Sequence, residues 1–568
     1  MKIFFASFFG VLAALFFLIL IGIGFAGMSE EAPKIEPQTT LVLQLSGAIQ
    51  DRPTSSLALL NELLDQPNTT SLTETLLALK AAADDDRVKA LRIEMGLFDM
   101  GYASIQELRS AMKHLQDMGK PVVVYSKLYT QKAFYLARAA EKVYLPAPGM
   151  IEFSGLSTSP LYFKGALDKL GVKAHLIRGS DNIYKSAGEP FIADEMSDAN
   201  RHQIEERLQS LYSGILEDLE ADGVDTEALN QRITENPLFS AEEALAMGLI
   251  EGIQYTWPTG DDATEMMVED YYHALEAPSA KKSIAVLIAE GDVQDGSGSD
   301  GVITDESMRE AIEKIRKQKR IGAVVLRINS PGGSALASDM IWDALQNLAK
   351  EKPLVISMGD VAASGGYYIA VPGQTLFANP ATITGSIGVF GLLFSAEDLL
   401  HNTLGVKSQP VGTHPLSTAL QLDQAPSSAM LAVLQKNVDR TYTRFKAVVA
   451  EGRALAQSQV DSLARGHVYT GRDALRLGLI DQEGGFLQAL SFAQDLAYPD
   501  EEAARIVFYP EDMDPLTQLL SSLGAKTQMW WNAWSHQGAL KAFSQLQERV
   551  MDLQAWEGVQ MRAQTLNL

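Results

Sequence analysis

The sequence predicts an α/β fold of mostly parallel sheets, present twice in one chain. Two observations carry this. Apolar runs of strand length alternate with stretches of helical period, the pattern of βαβ units. The chain also repeats itself: Val42–Asp51 (VLQLSGAIQD) is echoed by Val286–Asp295 (VLIAEGDVQD), and Ser240–Glu251 (SAEEALAMGLIE) by Thr470–Asp481 (TGRDALRLGLID).

At the N-terminus, Lys2 precedes an uncharged, mostly apolar run from Ile3 to Met28, followed by Glu30 and Glu31. About two dozen helical residues at ~1.5 Å each match a hydrocarbon core of ~30 Å. The run exceeds the ~7–15 apolar residues of a signal peptide, so residues 1–28 are expected to be an uncleaved transmembrane anchor. Phe25-Ala26-Gly27 leaves cleavage open. Basic before and acidic after, the span should place the body outside the cytoplasm.

Ser29 to Gln38 reads as a polar tether. The first repeat is expected over 39–275, with strands at Leu41–Leu45, Leu91–Ile93 and Val122–Tyr125 and a helix at Ile105–Met118. A linker, Ala277 to Lys282, leads to the second repeat over 283–500. Its strands fall at Ile284–Ile288, Ala323–Ile328 and Leu354–Met358, with a helix at Asp339–Ala349. Met196–Ala221 and Ser428–Gly452 form matching helical additions, either arms toward a neighbouring subunit or solvated helices. Residues 501–568 are expected to be a helical tail carrying Trp530, Trp531, Trp534 and Trp556.

Composition narrows the function classes. A chain of 568 residues that is 46% hydrophobic can bury several cores, and its net charge of −24 argues against nucleic acid as a partner. With no cysteine, disulfides, Cys-based zinc sites and thiol nucleophiles are excluded.

The chemistry-bearing words lie mostly in the second repeat. Ser330-Pro331-Gly332-Gly333-Ser334 joins a strand to a helix, where unpaired backbone N–H groups can hold an oxyanion or where a tight turn merely needs glycine. Phosphate cradling is disfavoured because no Walker lysine follows. In Val361–Tyr368 (VAASGGYY) the small residues admit a close helix, and Ser364 is a candidate cap lining the cleft. Gly385-Ser386-Ile387-Gly388 leaves one serine between glycines, accessible to a substrate carbonyl. A nucleophilic serine needs a base. The eight histidines form no triad with it, and His414 and His467 are isolated; a desolvated lysine can serve instead, the candidates being Lys185, Lys407 and Lys173.

The combination of Ser330-Pro331-Gly332-Gly333, Gly385-Ser386-Ile387-Gly388 and Tyr184-Lys185-Ser186 resembles the signal peptide peptidase A family in its long, tandem-repeat form from Gram-negative bacteria. The resemblance implies two crotonase/ClpP-like domains behind the anchor. It implies Ser386 as nucleophile, Lys185 from the other repeat as general base, Ser408 orienting the lysine amine, and an oxyanion turn at Gly332 and Gly333. No metal or cofactor is implied. It further implies a homotetramer, held to the lipid bilayer through residues 3–28, that degrades signal-peptide fragments and other hydrophobic or unfolded peptides at the periplasmic face of the inner membrane. Two rivals remain: an acyl-CoA hydratase or isomerase on the same fold, disfavoured by an extracytoplasmic body, and a non-catalytic membrane scaffold.

Overall fold

The computed structural model of the protein describes residue 10 and residues 34–52, 70–256, 264–275, 282–297, 301–500, 504–510 and 558–562. Each repeat builds its own sheet. In the first, the order is Gly252–Ile253, Lys142–Leu145, Val122–Ser126, Val88–Asp99, Thr39–Gln50, Glu265–Met267, parallel throughout. In the second, Leu354–Ala363, Ile321–Ser330, Ser283–Glu290 and Arg505–Tyr509 are successive parallel neighbours. At its other end Ile383–Gly385 pairs parallel with Leu354–Ala363 and antiparallel with Val468–Thr470.

The strand Ser283–Glu290 shows why these residues fold this way. It is apolar almost without a break and buried nearly end to end, as a central parallel strand covered on both faces must be. Period-two alternation then assigns its side chains: Ile284, Val286 and Ile288 join the core of the first repeat, while Ala285, Leu287 and Ala289 join that of the second. The two repeats therefore share packing surface rather than hanging from a linker.

Polar contacts reinforce this junction. Arg327, fully buried in the second sheet, donates from Nε to Asp51 Oδ1 at 2.9 Å and from a terminal nitrogen to Glu107 Oε1 at 2.6 Å, both carboxylates belonging to the first repeat. Asp360 accepts from Ser104 N at 2.9 Å and Ser104 Oγ at 2.7 Å, supplying an acceptor at the N-terminus of helix Tyr102–Asp117 from across the junction.

A third sheet crosses between the repeats. Its order is Val302–Thr304, Asp292–Gln294, Gly332–Ser334, Gly558–Arg562, Phe390–Ser395, Lys173–Arg178. The last two strands are antiparallel over six residue pairs, from Lys173 opposite Ser395 to Arg178 opposite Phe390. First-repeat backbone is thereby fixed beside the second repeat.

The expected anchor lies outside the described residues apart from Gly10, and among the described residues no helix is long and apolar enough to cross a membrane. The expectation of a helical tail is corrected wherever the tail is described. Arg505–Tyr509 (RIVFY) is a strand, its β-branched and aromatic residues suiting an extended place beside Ser283–Glu290, and Gly558–Arg562 is a second strand. The four tail tryptophans fall outside the described residues.

Candidate active site

The strand Ile321–Ser330 runs into the short strand Gly332–Ser334, and Ser334 Oγ accepts from Ala337 N at 3.3 Å to cap helix Ala335–Ala349. Gly332 (φ +96°) and Gly333 (φ +156°) lie where side chains are disfavoured, and the space is closed as well. A β carbon at Gly332 would strike the Met561 carbonyl oxygen and Gly365 N; one at Gly333 would strike the Val293 carbonyl. Gly332 N–H donates to Ser330 Oγ at 3.1 Å.

Two serines have a positive backbone φ. Ser386 (φ +51°) follows strand Ile383–Gly385, and its N–H donates to the His467 carbonyl at 2.7 Å. Ser364 (φ +58°) ends strand Leu354–Ala363, and its N–H donates to the Gly385 carbonyl at 2.8 Å. Such conformations cost non-glycine residues on the order of 1–3 kcal/mol each and persist only where surroundings over-determine them. Here the hydrogen bonds just named hold both.

Lys185 arrives from the first repeat. After the cross-repeat ladder, Gly179 N and Asn182 Nδ2 both donate to the Val389 carbonyl at 3.0 Å, and Tyr184 N donates to the Arg465 carbonyl at 3.0 Å. The lysine is 1% exposed. Its Nζ lies 2.9 Å from Ser386 Oγ, 3.0 Å from the Ser386 carbonyl and 2.6 Å from Ser364 Oγ. Burial pushes its pKa well below the ordinary lysine value, with desolvation as the cause.

Hydrogen-bond accounting fixes what a neutral amine does there. It has two N–H donors and one lone pair. The Ser386 carbonyl can only accept, so one N–H goes to it. If the other goes to Ser364 Oγ, the lone pair is left for the hydroxyl proton of Ser386. The arrangement can thus deprotonate Ser386 with both N–H groups and the lone pair of the amine in use.

The remaining candidates lie elsewhere. Lys173 is exposed and paired with Asp398 at 2.9 Å, a contact that raises its pKa. Lys407 and Ser408 are exposed in a segment without regular structure. The expectation for Ser408 is therefore corrected: Ser364 occupies the place at the amine, because the turn after Ala363 aims its hydroxyl inward. The cap reading of Ser364 is corrected too, since it stands at the start of helix Gly365–Ala370 but its side chain makes no capping bond. The available signal was a lone hydroxyl among small residues in Ala362-Ala363-Ser364-Gly365-Gly366. His414 is exposed. His467 is not isolated: its carbonyl holds Ser386, and its ring meets Tyr184 edge-on at 4.5 Å. Among the described residues no cluster suited to a metal ion occurs.

A sequence model of Peptidase family S49 matches residues 114–268 and 346–498, and one of Clp protease matches residues 277–383. The chain is 32% identical over 521 residues to Protease 4 of Salmonella typhi, covering 85% of this chain and 82% of that protein. It is 30% identical over 546 residues to Protease 4 of Haemophilus influenzae, covering 90% and 88%. The chloroplastic serine protease SPPA of Arabidopsis thaliana is 28% identical over 471 residues, covering 78% and 68%. Among solved structures, a ClpP1 mutant from Listeria monocytogenes matches 36% of this chain and 94% of its own at 15% identity and a TM-score of 0.24.

Proposed function

The chain belongs to peptidase family S49, and from that premise we propose that it is a serine endopeptidase working through Ser386 and Lys185. The observation that carries the reading is the buried lysine amine 2.9 Å from Ser386 Oγ, within the 2.6–3.2 Å reach of a general base. A scaffold would have no use for a buried lysine whose side-chain partners are two hydroxyls.

Neutral Lys185 takes the hydroxyl proton as Ser386 Oγ attacks the peptide carbonyl, one of the convergent forms of acyl-transfer catalysis. The tetrahedral oxyanion is received by the Gly332–Gly333 turn. Because Gly332 N–H is committed to Ser330, Gly333 is the donor of that pair; such a donor contributes ~2.7–4 kcal/mol in comparable sites. Lys185 then passes its proton to the leaving amine, and water, deprotonated in turn by the lysine, releases the acyl group. No metal or cofactor enters.

Substrate class and location follow as parts of the same proposal. The motif resemblance of Ser330-Pro331-Gly332-Gly333, Gly385-Ser386-Ile387-Gly388 and Tyr184-Lys185-Ser186 to signal peptide peptidases supports remnant signal peptides and other hydrophobic or unfolded peptides as substrates. The apolar run, basic before and acidic after, supports a single-pass anchor through residues 3–28 with a periplasmic body, and the motif resemblance alone supports a homotetrameric assembly. Ser386→Ala and Lys185→Ala should each lower kcat on an unfolded peptide by more than about 10³-fold with assembly intact. Retained turnover in either purified variant would sink the assignment.

A further inference from the structure

The C-terminal strand Gly558–Arg562 occupies the groove that an extended substrate would need. It lies between Gly332–Ser334 and Phe390–Ser395, antiparallel to both: Gly332, Gly333 and Ser334 face Arg562, Met561 and Gln560, while Phe390 and Gly391 face Gln560 and Val559. Adding a strand to such a cleft is how many sites take up extended peptides. The Met561 carbonyl lies against Gly332, at the turn assigned to the oxyanion. The Met561 side chain is buried in the same apolar cluster as Ile387 and Val389, which follow Ser386, and Arg562 pairs with Asp292. With the strand seated, Lys185, Ser364 and Ser386 are all at most 1% exposed.

We propose that this strand is an intramolecular pseudosubstrate: the chain's own C-terminal segment occupies the substrate groove and holds the peptidase in a closed state until a peptide displaces it. The inference rests on the peptidase reading above. Its register supplies a template for the substrate, with a medium-sized apolar side chain at the Met561 position and a basic one at the next, facing Asp292. Because the competitor is tethered, it acts at a fixed effective concentration that free peptide must exceed. The seated strand therefore raises the apparent KM.

The absence of cysteine makes a clean test available. In the full-length double variant Asp292→Cys/Arg562→Cys, a short bis-methanethiosulfonate crosslinker, removable by thiol, should join the two positions within one chain. Turnover of a short fluorogenic peptide should fall at least 10-fold on crosslinking and return on thiol treatment. Separately, Met561→Asp in the full chain should raise kcat/KM several-fold through a lower KM, and a synthetic peptide of residues 556–564 should inhibit that variant competitively. Failure to crosslink, equal turnover before and after thiol, or an unchanged KM in Met561→Asp would each overturn the proposal. The crosslink needs no catalysis, so a protein that crosslinks yet hydrolyses nothing, wild type included, supports the strand's seat and contradicts the peptidase reading instead.

Discussion

Lys185 carries a cost that the proposed base chemistry requires. Desolvation lowers its folded pKa, so the folded state binds fewer protons than the unfolded state at pH values between the lowered pKa and the ordinary ~10.4. Over that window stability rises with pH; below it the full penalty of burying a cation is present. Lys185→Met should therefore abolish turnover yet raise the thermal midpoint at neutral pH, measured by calorimetry, and remove that slope. In the wild type, kcat should climb with pH through the lowered lysine pKa and then level, and a flat profile would count against a titrating base. Ser364→Ala removes an acceptor that favours the charged amine, so the climb should move to lower pH while kcat falls about 10-fold, the worth of a hydrogen bond of ~1–2 kcal/mol. At this scale the sequence displayed Ser386 through its glycine neighbours and Lys185 as one of three lysines. Ser364 stayed hidden because its hydroxyl direction depends on a left-handed turn that no local pattern announces.

At the scale of elements, the junction between repeats is built of charges as well as apolar faces. Arg327 has a pKa above even the ordinary arginine value because two carboxylates outweigh its desolvation, and removing it would strand Asp51 and Glu107 in the interior. Arg327→Met should cost ~3–5 kcal/mol by denaturant titration. Glu290, whose Oε1 accepts from Asp51 N at 3.1 Å, is pushed up to about 7 by burial and by the Asp51 charge, from an ordinary value of 4.5. A raised carboxyl favours the fold when protonated. Its contribution is complete below about pH 4.5 and is lost as pH rises through 7, so Glu290→Gln should flatten that decline in a stability-versus-pH series. Strand positions such as Ser283–Glu290 were legible because unbroken apolar runs mark parallel strands. The ion pairs were not, since Arg327, Asp51 and Glu107 look like ordinary surface charges until the fold brings distant segments together.

On the scale of the whole molecule, the candidate site draws its amine from one repeat and its hydroxyls from the other. The shared core and the cross-repeat ladder hold them together without help from the linker. A protease site inserted between Leu275 and Lys282 and cut after folding should leave turnover unchanged; loss of activity on cutting would show that continuity of the chain is needed. The repeated words in the sequence announced two like units, and their differing motifs announced a divided site. The third sheet had no such signature, because its strands are short and come from segments far apart in the chain. That sheet has a mechanical consequence. One step of register between Lys173–Arg178 and Phe390–Ser395 is a slide of ~3.3 Å and a reversal of every side chain's facing. This displacement is larger than the 2.9 Å separating amine from hydroxyl. On the proposed chemistry the ladder is a latch with a single closed notch: the two repeats are either in gear, with the proposed proton path complete, or out of gear, with none at all.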